Sequence, residues 1–344
     1  MDNPSQLGAL EAARLIKAGE LTSEALVRSC LARIEARDND VGAWTALDPD
    51  RAIAEARARD SESPRSLLHG IPFGVKDIID AEGYRTAMGS PIYENATPML
   101  NDAASVALAK DAGMVVLGKT VTTEFALRTA GKTRNPHRLS HSPGGSSSGS
   151  AAAVADFQVP LAIGTQTGGS VIRPSSYCGV VGFKPTFGRI PRAGVKSVSE
   201  SLDTVGVMAR NVSDAAAFAS ILEGVPIIEL SNAQVRPRFA LAKTPAWDSL
   251  SPAAHKAGRD VIEKARAAGA SVVEIDLSPA FRDALEAQTR IQTYEATRSL
   301  AFELRMRPDQ VSKGLKDYIA AGLEMQRSAY DEARNIQAGC RAAL

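Results

Sequence analysis

A chain of 344 residues, 44% of them apolar, is long enough for one large domain or two ordinary ones and can bury a sizeable core. Forty basic against thirty-nine acidic residues leave a formal net charge of +1 without a basic run, which argues against capture of nucleic acid or an anionic membrane and favours a neutral or small polar ligand. The three cysteines, Cys30, Cys178 and Cys340, are far apart and lack CxxC or Cys/His spacing, so free buried thiols, no metal and a reducing, cytoplasmic setting are expected. Residues 1–10 lack a basic start followed by an apolar stretch, and the most apolar region, 151–164, is broken by Asp156, Gln158 and Pro160. Neither a leader nor a membrane span is expected.

Over residues 21–38 the apolar side chains of Leu26, Val27, Cys30, Leu31 and Ile34 recur at helical spacing, with Thr22 or Ser23 placed to cap the first turn. A second helix is predicted over 51–60. Residues 69–77 read as a short, glycine-punctuated strand entering the core, with Lys76 near its end and Asp77 turned to the opposite face. Residues 102–120 read as a helix, a stop at Gly113 and the buried strand Met114-Val-Val-Leu117. The same grammar returns with a strand over 238–243, a helix over 251–267, a strand over 271–275 and a mostly helical stretch from Ala280. This alternation predicts an α/β fold, and without repeats the chain reads as a single domain over 1–344.

Residues 142–150, Ser-Pro-Gly-Gly-Ser-Ser-Ser-Gly-Ser, have the composition of a flexible linker. They run straight into Ala151-Ala-Ala-Val-Ala155, a strong helix start, which makes them a tight loop whose amides gather at a helix N-terminus. About one strand later an apolar run ends in Thr167-Gly-Gly-Ser170, so a sharp turn presents the serine. The amides of Thr167, Gly168, Gly169 and Ser170 can converge there on one point as an oxyanion hole, each such donor being worth ~10²–10³ in rate. The two glycines are equally well read as merely turning the chain.

A nucleophilic serine requires a base. His137 and His141 lie in a polar loop, His255 on a charged stretch, and neither they nor His69 has a setting that demands catalysis. Lys76 emerges from an apolar strand, where desolvation without a paired carboxylate can bring its pKa from ~10.4 toward the ~7–8 of a general base. A lone lysine is otherwise a solvated surface charge.

Gly70-Ile-Pro-Phe-Gly-Val-Lys-Asp77, Pro143-Gly-Gly-Ser-Ser-Ser-Gly149 and Gly164-Thr-Gln-Thr-Gly-Gly-Ser170, in this order and spacing, resemble the amidase-signature family. The resemblance extends from about position 21 to 214, taking in Gly118-Lys-Thr120, Thr123-Glu-Phe125, Gly179-Val-Val-Gly-Phe-Lys-Pro185 and Ser201-Leu-Asp-Thr-Val-Gly206. It implies a large twisted mixed β-sheet with helices on both faces. It further implies a Ser170 acyl-enzyme, Ser146 as proton relay after a cis peptide bond, Lys76 as neutral base, and no cofactor. The reaction implied is hydrolysis of a small carboxamide to carboxylate and ammonia, with no partner required and association of like copies left open. The rival within the family is an amidotransferase A-type subunit, which releases ammonia from glutamine and works with partner subunits; an inactive scaffold is a third reading.

Three departures from the family pattern bear on this reading. Gln166 stands where many members have aspartate, and Arg173 follows Ser170 one residue later than usual. The latter spacing resembles the malonamidase-like branch, implying that Arg173, with Gln292 as its partner, holds a substrate carboxylate. A structural arginine bonding loop carbonyls is the alternative. The chain also ends at Leu344 in an apparent helix, where members continue, so the usual C-terminal portion is expected to be absent. Two further patterns compete. Gly113-Met-Val-Val-Leu-Gly-Lys-Thr120 fits the Walker A expression, but its middle reads as an apolar strand and not a phosphate loop. Gly145-Ser-Ser-Ser-Gly149 fits a nucleophile elbow on Ser147, yet no apolar strand leads into it, so Ser147 reads as a helper bonding within the loop or toward Lys76.

Overall fold

Six strands form one mixed sheet in the computed structural model: Trp44–Leu47 (β1), Pro72–Lys76 (β2), Val115–Thr120 (β3), Leu161–Gln166 (β4), Val181–Phe183 (β5) and Thr204–Ala209 (β6). Their order is β1-β3-β2-β4-β6-β5. The centre, β3-β2-β4, is parallel, whereas β1, β6 and β5 join antiparallel. Every residue of β2, β3, β4 and β6 is buried, as a sheet covered on both faces requires.

The helices before, between and directly after these strands are Ala9–Lys17 (α1), Ser23–Val41 (α2), Pro49–Asp60 (α3), Ala104–Asp111 (α4), Ser148–Ala155 (α5), Ile172–Cys178 (α6) and Val212–Glu223 (α7). Side-chain caps start several of them: Thr22 accepts from the Ala25 amide, Asp48 from Arg51 and Asn211 from Asp214. The predicted glycine stop is also present, Gly113 having φ +84° between α4 and β3.

The described residues are 3–227, 236–277 and 279–343. The chain, expected to form one domain, divides by its contacts into two compact units, Met1–Leu230 with Glu295–Ala320 and Ser231–Tyr294 with Ala321–Leu344. The second contains a crossover: Arg238–Lys243 (β7), Pro252–Ala267 (α8) and Ser271–Asp276 (β8), with β7 and β8 paired in parallel from Arg238↔Ser271 to Lys243↔Asp276. Ser251 caps α8 by accepting from the Ala254 amide. Helices Ala284–Ser299 (α9), Ala301–Met306 (α10), Lys313–Glu324 (α11) and Arg327–Ala342 (α12) come next, in line with the helical reading from Ala280. Leu344, at which the chain was expected to end within a helix, lies outside the described residues. No helix among the described residues is long and apolar enough to cross a membrane.

The Gly/Ser segment is not a linker. Most of it is buried, because α5 begins at Ser148 and lies against the parallel centre of the sheet. Ser147 Oγ donates to the Thr165 carbonyl and accepts from the Thr165 amide, both at 3.2 Å, whereas Ser148 Oγ donates to the Val121 carbonyl at 3.3 Å. Ser150 Oγ donates to the Ile163 carbonyl at 3.0 Å and lies 2.7 Å from Thr120 Oγ1. A Cβ at Gly149 would collide with the Ala43 carbonyl and the Val121 backbone, so only glycine fits there. Small polar residues are used here because the helix start is pressed against backbone.

The Walker-like residues behave as the strand reading requires. Gly118, Lys119 and Thr120 lie inside β3, and Lys119 is fully buried with Nζ 3.1 Å from Asp77 Oδ1. It also donates to the Arg85 carbonyl and to Thr86 Oγ1, each at 3.0 Å. Asp77 is thus turned away from Lys76, as strand alternation predicts.

Candidate active site

Lys76 ends β2 at the centre of the sheet and is completely buried. Its Nζ lies 2.7 Å from Ser146 Oγ and donates to Thr165 Oγ1 at 2.7 Å and to the Thr165 carbonyl at 3.4 Å. No carboxylate bonds it among the described residues. Burial lowers its pKa to about 7; the positive charge of Arg173 acts the same way, and Asp203 opposes both. The physical cause is the one anticipated from sequence, desolvation without a paired acid.

Ser146 is buried and follows a cis Gly145–Ser146 peptide bond. Its carbonyl accepts from the Thr123 amide at 3.2 Å. The adjacent Ser147 amide donates to the Ser170 carbonyl at 3.3 Å, which ties the two serine-bearing loops together. Ser170 stands between β4 and α6 and is buried, 7% exposed. Among the described residues its hydroxyl has no hydrogen-bond partner, and the amides of Thr167, Gly168, Gly169 and Ser170 donate to no carbonyl. Four successive uncommitted amides beside a free hydroxyl can receive a polarised carbonyl oxygen.

Gln166 explains its own departure from the acidic pattern. Its Oε1 accepts from the Val171 amide at 2.9 Å and the Ile172 amide at 3.0 Å, supplying the acceptor for the first turn of α6 without a charge. Arg173, one residue into α6, directs Nε and Nη2 at the Gly145 carbonyl, at 3.0 and 2.7 Å. It therefore braces the peptide that presents Ser146. Its Nη1 lies 3.6 Å from where a Cβ on Gly169 would stand, beside the glycine turn. Gln292 belongs to the second unit, where its Oε1 accepts from Gln288 Nε2 at 2.7 Å.

The histidines are occupied elsewhere. His69 lies with Nε2 2.9 Å from the Arg59 carbonyl, His137 with Nε2 2.8 Å from the Cys178 carbonyl, and His255 packs edge-on against Trp247. Ser147 Oγ bonds to the backbone of Thr165 in β4, neither within its own loop nor to Lys76. The three cysteines are buried and unpaired, and the described residues contain no cluster of His, Cys, Asp and Glu arranged to hold a metal.

Two neighbours escaped the sequence reading. Thr165, inside β4, supplies two of the three contacts of Lys76. Asp203 lies just before β6 and accepts the Thr167 hydroxyl at 2.6 Å. The antiparallel pair Gln166↔Thr204 is what brings Thr167 and Asp203 face to face, and no local signal announces that pairing.

The parallel-centred sheet thus delivers a desolvated lysine to a loop serine, with a second serine on a glycine turn nearby. The chain belongs to the amidase family, whose sequence model matches residues 25–338. It is 39% identical over 315 residues to the A-type subunit of the glutamyl-tRNA(Gln) amidotransferase of Oleidesulfovibrio alaskensis, covering 85% of this chain and 64% of that relative. The chain thus spans a little under two thirds of that relative's length. A crystal structure of an amidase superimposes with a TM-score of 0.90 at 33% identity, over 98% of this chain and 78% of the other. The peptide amidase of Stenotrophomonas maltophilia superimposes with a TM-score of 0.81 at 31% identity, over 96% and 78%.

Proposed function

We propose that this chain hydrolyses a small carboxamide to a carboxylate and ammonia through an acyl-enzyme on Ser170. The observation that carries the reading is the 2.7 Å contact between Ser146 Oγ and a fully buried Lys76 amine whose pKa lies about 7. A neutral amine accepts a proton, so Ser146 gives its proton to Lys76 Nζ as it takes one from Ser170. The Ser170 oxygen then bonds to the amide carbon, and the oxyanion rests on the amides of Thr167, Gly168, Gly169 and Ser170. Lys76 returns its proton through Ser146 to the leaving nitrogen, the C–N bond breaks, and ammonia departs. Water repeats the sequence on the ester and regenerates Ser170. The relay asks for no metal or organic cofactor. Buried free thiols suit a reducing cytoplasm, and the family match crosses both units, in keeping with one domain over 1–344.

The test is a panel of simple amides, malonamate and glutamine with the purified chain. Turnover should vanish in Ser170→Ala, a loss on the order of 10⁶ in kcat if the serine acts as nucleophiles do in related relays. An acyl adduct should appear by mass spectrometry on the peptide containing Ser170. Turnover that survives the substitution refutes the assignment.

A second reading, that the chain is the glutamine-hydrolysing component of an amidotransferase working with partner subunits, is favoured by the name of the relative from O. alaskensis. Glutamine hydrolysis without turnover of the other amides in the panel would support it. An association of like copies is compatible with either activity.

Arg173 adds a substrate preference to the proposal. Its Nη1, unbonded among the described residues and beside Gly169, suits a carboxylate one short chain away from the scissile amide. Arg173→Lys is expected to raise KM for malonamate roughly ten-fold more than KM for a neutral amide, because loss of the Gly145 brace acts on both substrates and loss of Nη1 only on the acid. An equal change for both substrates removes the diacid monoamide from consideration.

A further inference from the structure

We propose that Asp203 is a positioning residue for this site, holding Thr167 at the head of the glycine turn and supplying the negative charge that supports a protonated Lys76; this rests on the acyl-enzyme reading above. Four donors converge on its carboxylate: the Thr167 hydroxyl at 2.6 Å on Oδ1, and the Val198 amide at 2.7 Å, the Ser199 amide at 3.0 Å and Ser197 Oγ at 3.4 Å on Oδ2. Such a cradle favours the ionised form, against the burial that pushes the carboxyl above its usual range. The loop bearing the cradle is itself fixed, because Glu295 accepts Ser199 Oγ at 2.5 Å and both the amide and hydroxyl of Ser201.

Asp203 and Lys76 are linked without touching. Asp203 lines a cavity of about 10 Å³ together with Thr165, which receives the hydrogen bond of Lys76, and Thr167. That volume is about the least that holds one water. Arg192 and Lys196 line the same cavity, but Arg192 donates to the Glu200 carbonyl and Lys196 pairs with Glu303 at 2.9 Å. Toward Lys76 the charged groups are therefore Asp203, which favours the ammonium, and Arg173, which disfavours it.

The separation is what makes the arrangement useful. A carboxylate bonded directly to Lys76 would keep the amine protonated and remove the base. One set back behind Thr165 leaves the resting amine neutral, yet lowers the cost of the ammonium that forms when Ser146 hands over its proton. Its other oxygen contact, Thr167, fixes the first of the four amides offered to the oxyanion.

The experiment follows the Lys76 side chain by NMR of ¹³C-labelled lysine methylenes, with the signal assigned by its loss in Lys76→Met. In Asp203→Asn the Lys76 titration should move down by roughly one unit, because the supporting charge is gone. An unmoved titration overturns the proposal. In turnover of a simple amide, kcat should fall by about ten-fold with KM little changed, and Asp203→Glu should recover part of it, as expected for a group acting on the barrier and not on binding. If Asp203→Asn does not fold, Thr167→Val keeps the charge and removes only the tie: kcat should fall at constant KM without a downward shift of Lys76, and an unchanged kcat overturns the positioning role. The titration needs no turnover, so inactivity of the wild-type chain, or activity in Ser170→Ala, would count against the acyl-enzyme reading alone.

Discussion

Lys76→Met is expected to reduce amide turnover by at least roughly 10⁴ while leaving the chain folded, since the apolar replacement suits a site with no exposure and removes only the proton acceptor. The pH profile of the unsubstituted chain supplies the companion result. The working base is the neutral amine, and its pKa lies at about 7. Below that value each unit of acid converts most of the remaining amine to ammonium, so kcat/KM should fall about ten-fold per unit. Above it the profile should level off. A flat profile between pH 5 and 8, or Lys76→Met retaining activity, would exclude a lysine base. A histidine base would give a similar limb, so the substitution and the profile have to be read together.

The elements that were legible from sequence are those whose cause is local. The helix at α2 announces itself by its apolar spacing and by Thr22, and α8 by Ser251; β2 and β3 are short apolar runs bounded by glycine. Residues 142–150 could be saved from a linker reading only by the alanine-rich helix start at 151–155, since their composition alone points the wrong way. The motifs carried Lys76, Ser146 and Ser170 to one family pattern, and the structure places Lys76 and Ser146 in direct contact. What stayed hidden depends on pairings between distant segments. Thr165 looks like any strand residue until β4 is laid beside β2, and Asp203 acquires its contact with Thr167 only through the β4–β6 register. Gln166 was visible as an oddity, but its acceptor role needs the turn that carries the Val171 and Ile172 amides back to it.

The largest effect on stability is expected at the buried pair of Lys119 and Asp77, which are 0% and 1% exposed. Lys119→Met leaves Asp77 without its counter-charge, and one of its oxygens, Oδ2, already lacks a hydrogen-bond partner among the described residues. Stripping one member from a buried pair costs about 3–5 kcal/mol. Urea unfolding should show that loss as a lower midpoint with an unchanged slope. Removing the second charge as well, in Lys119→Met with Asp77→Leu, should restore most of the stability, because two apolar side chains avoid the desolvation that the pair suffers. If the single and double substitutions were equally destabilising, packing and not charge would govern this position. The pair also explains why the Walker-like residues carry no nucleotide reading: the lysine that would meet a phosphate is committed inside the sheet.

The serines at 147, 148 and 150 each bond to a different stretch of backbone, at Thr165, Val121 and Ile163. For protein engineering this reverses a common habit. Glycine- and serine-rich stretches are where tags, fluorophores and circular-permutation breaks are usually introduced, and where repetitive-sequence filters discard residues before relatives are sought. In this chain that stretch is a rivet joining α5 to β3 and β4. Cutting or lengthening it would detach the helix from the sheet, and a search that masks it discards the residues that make this joint.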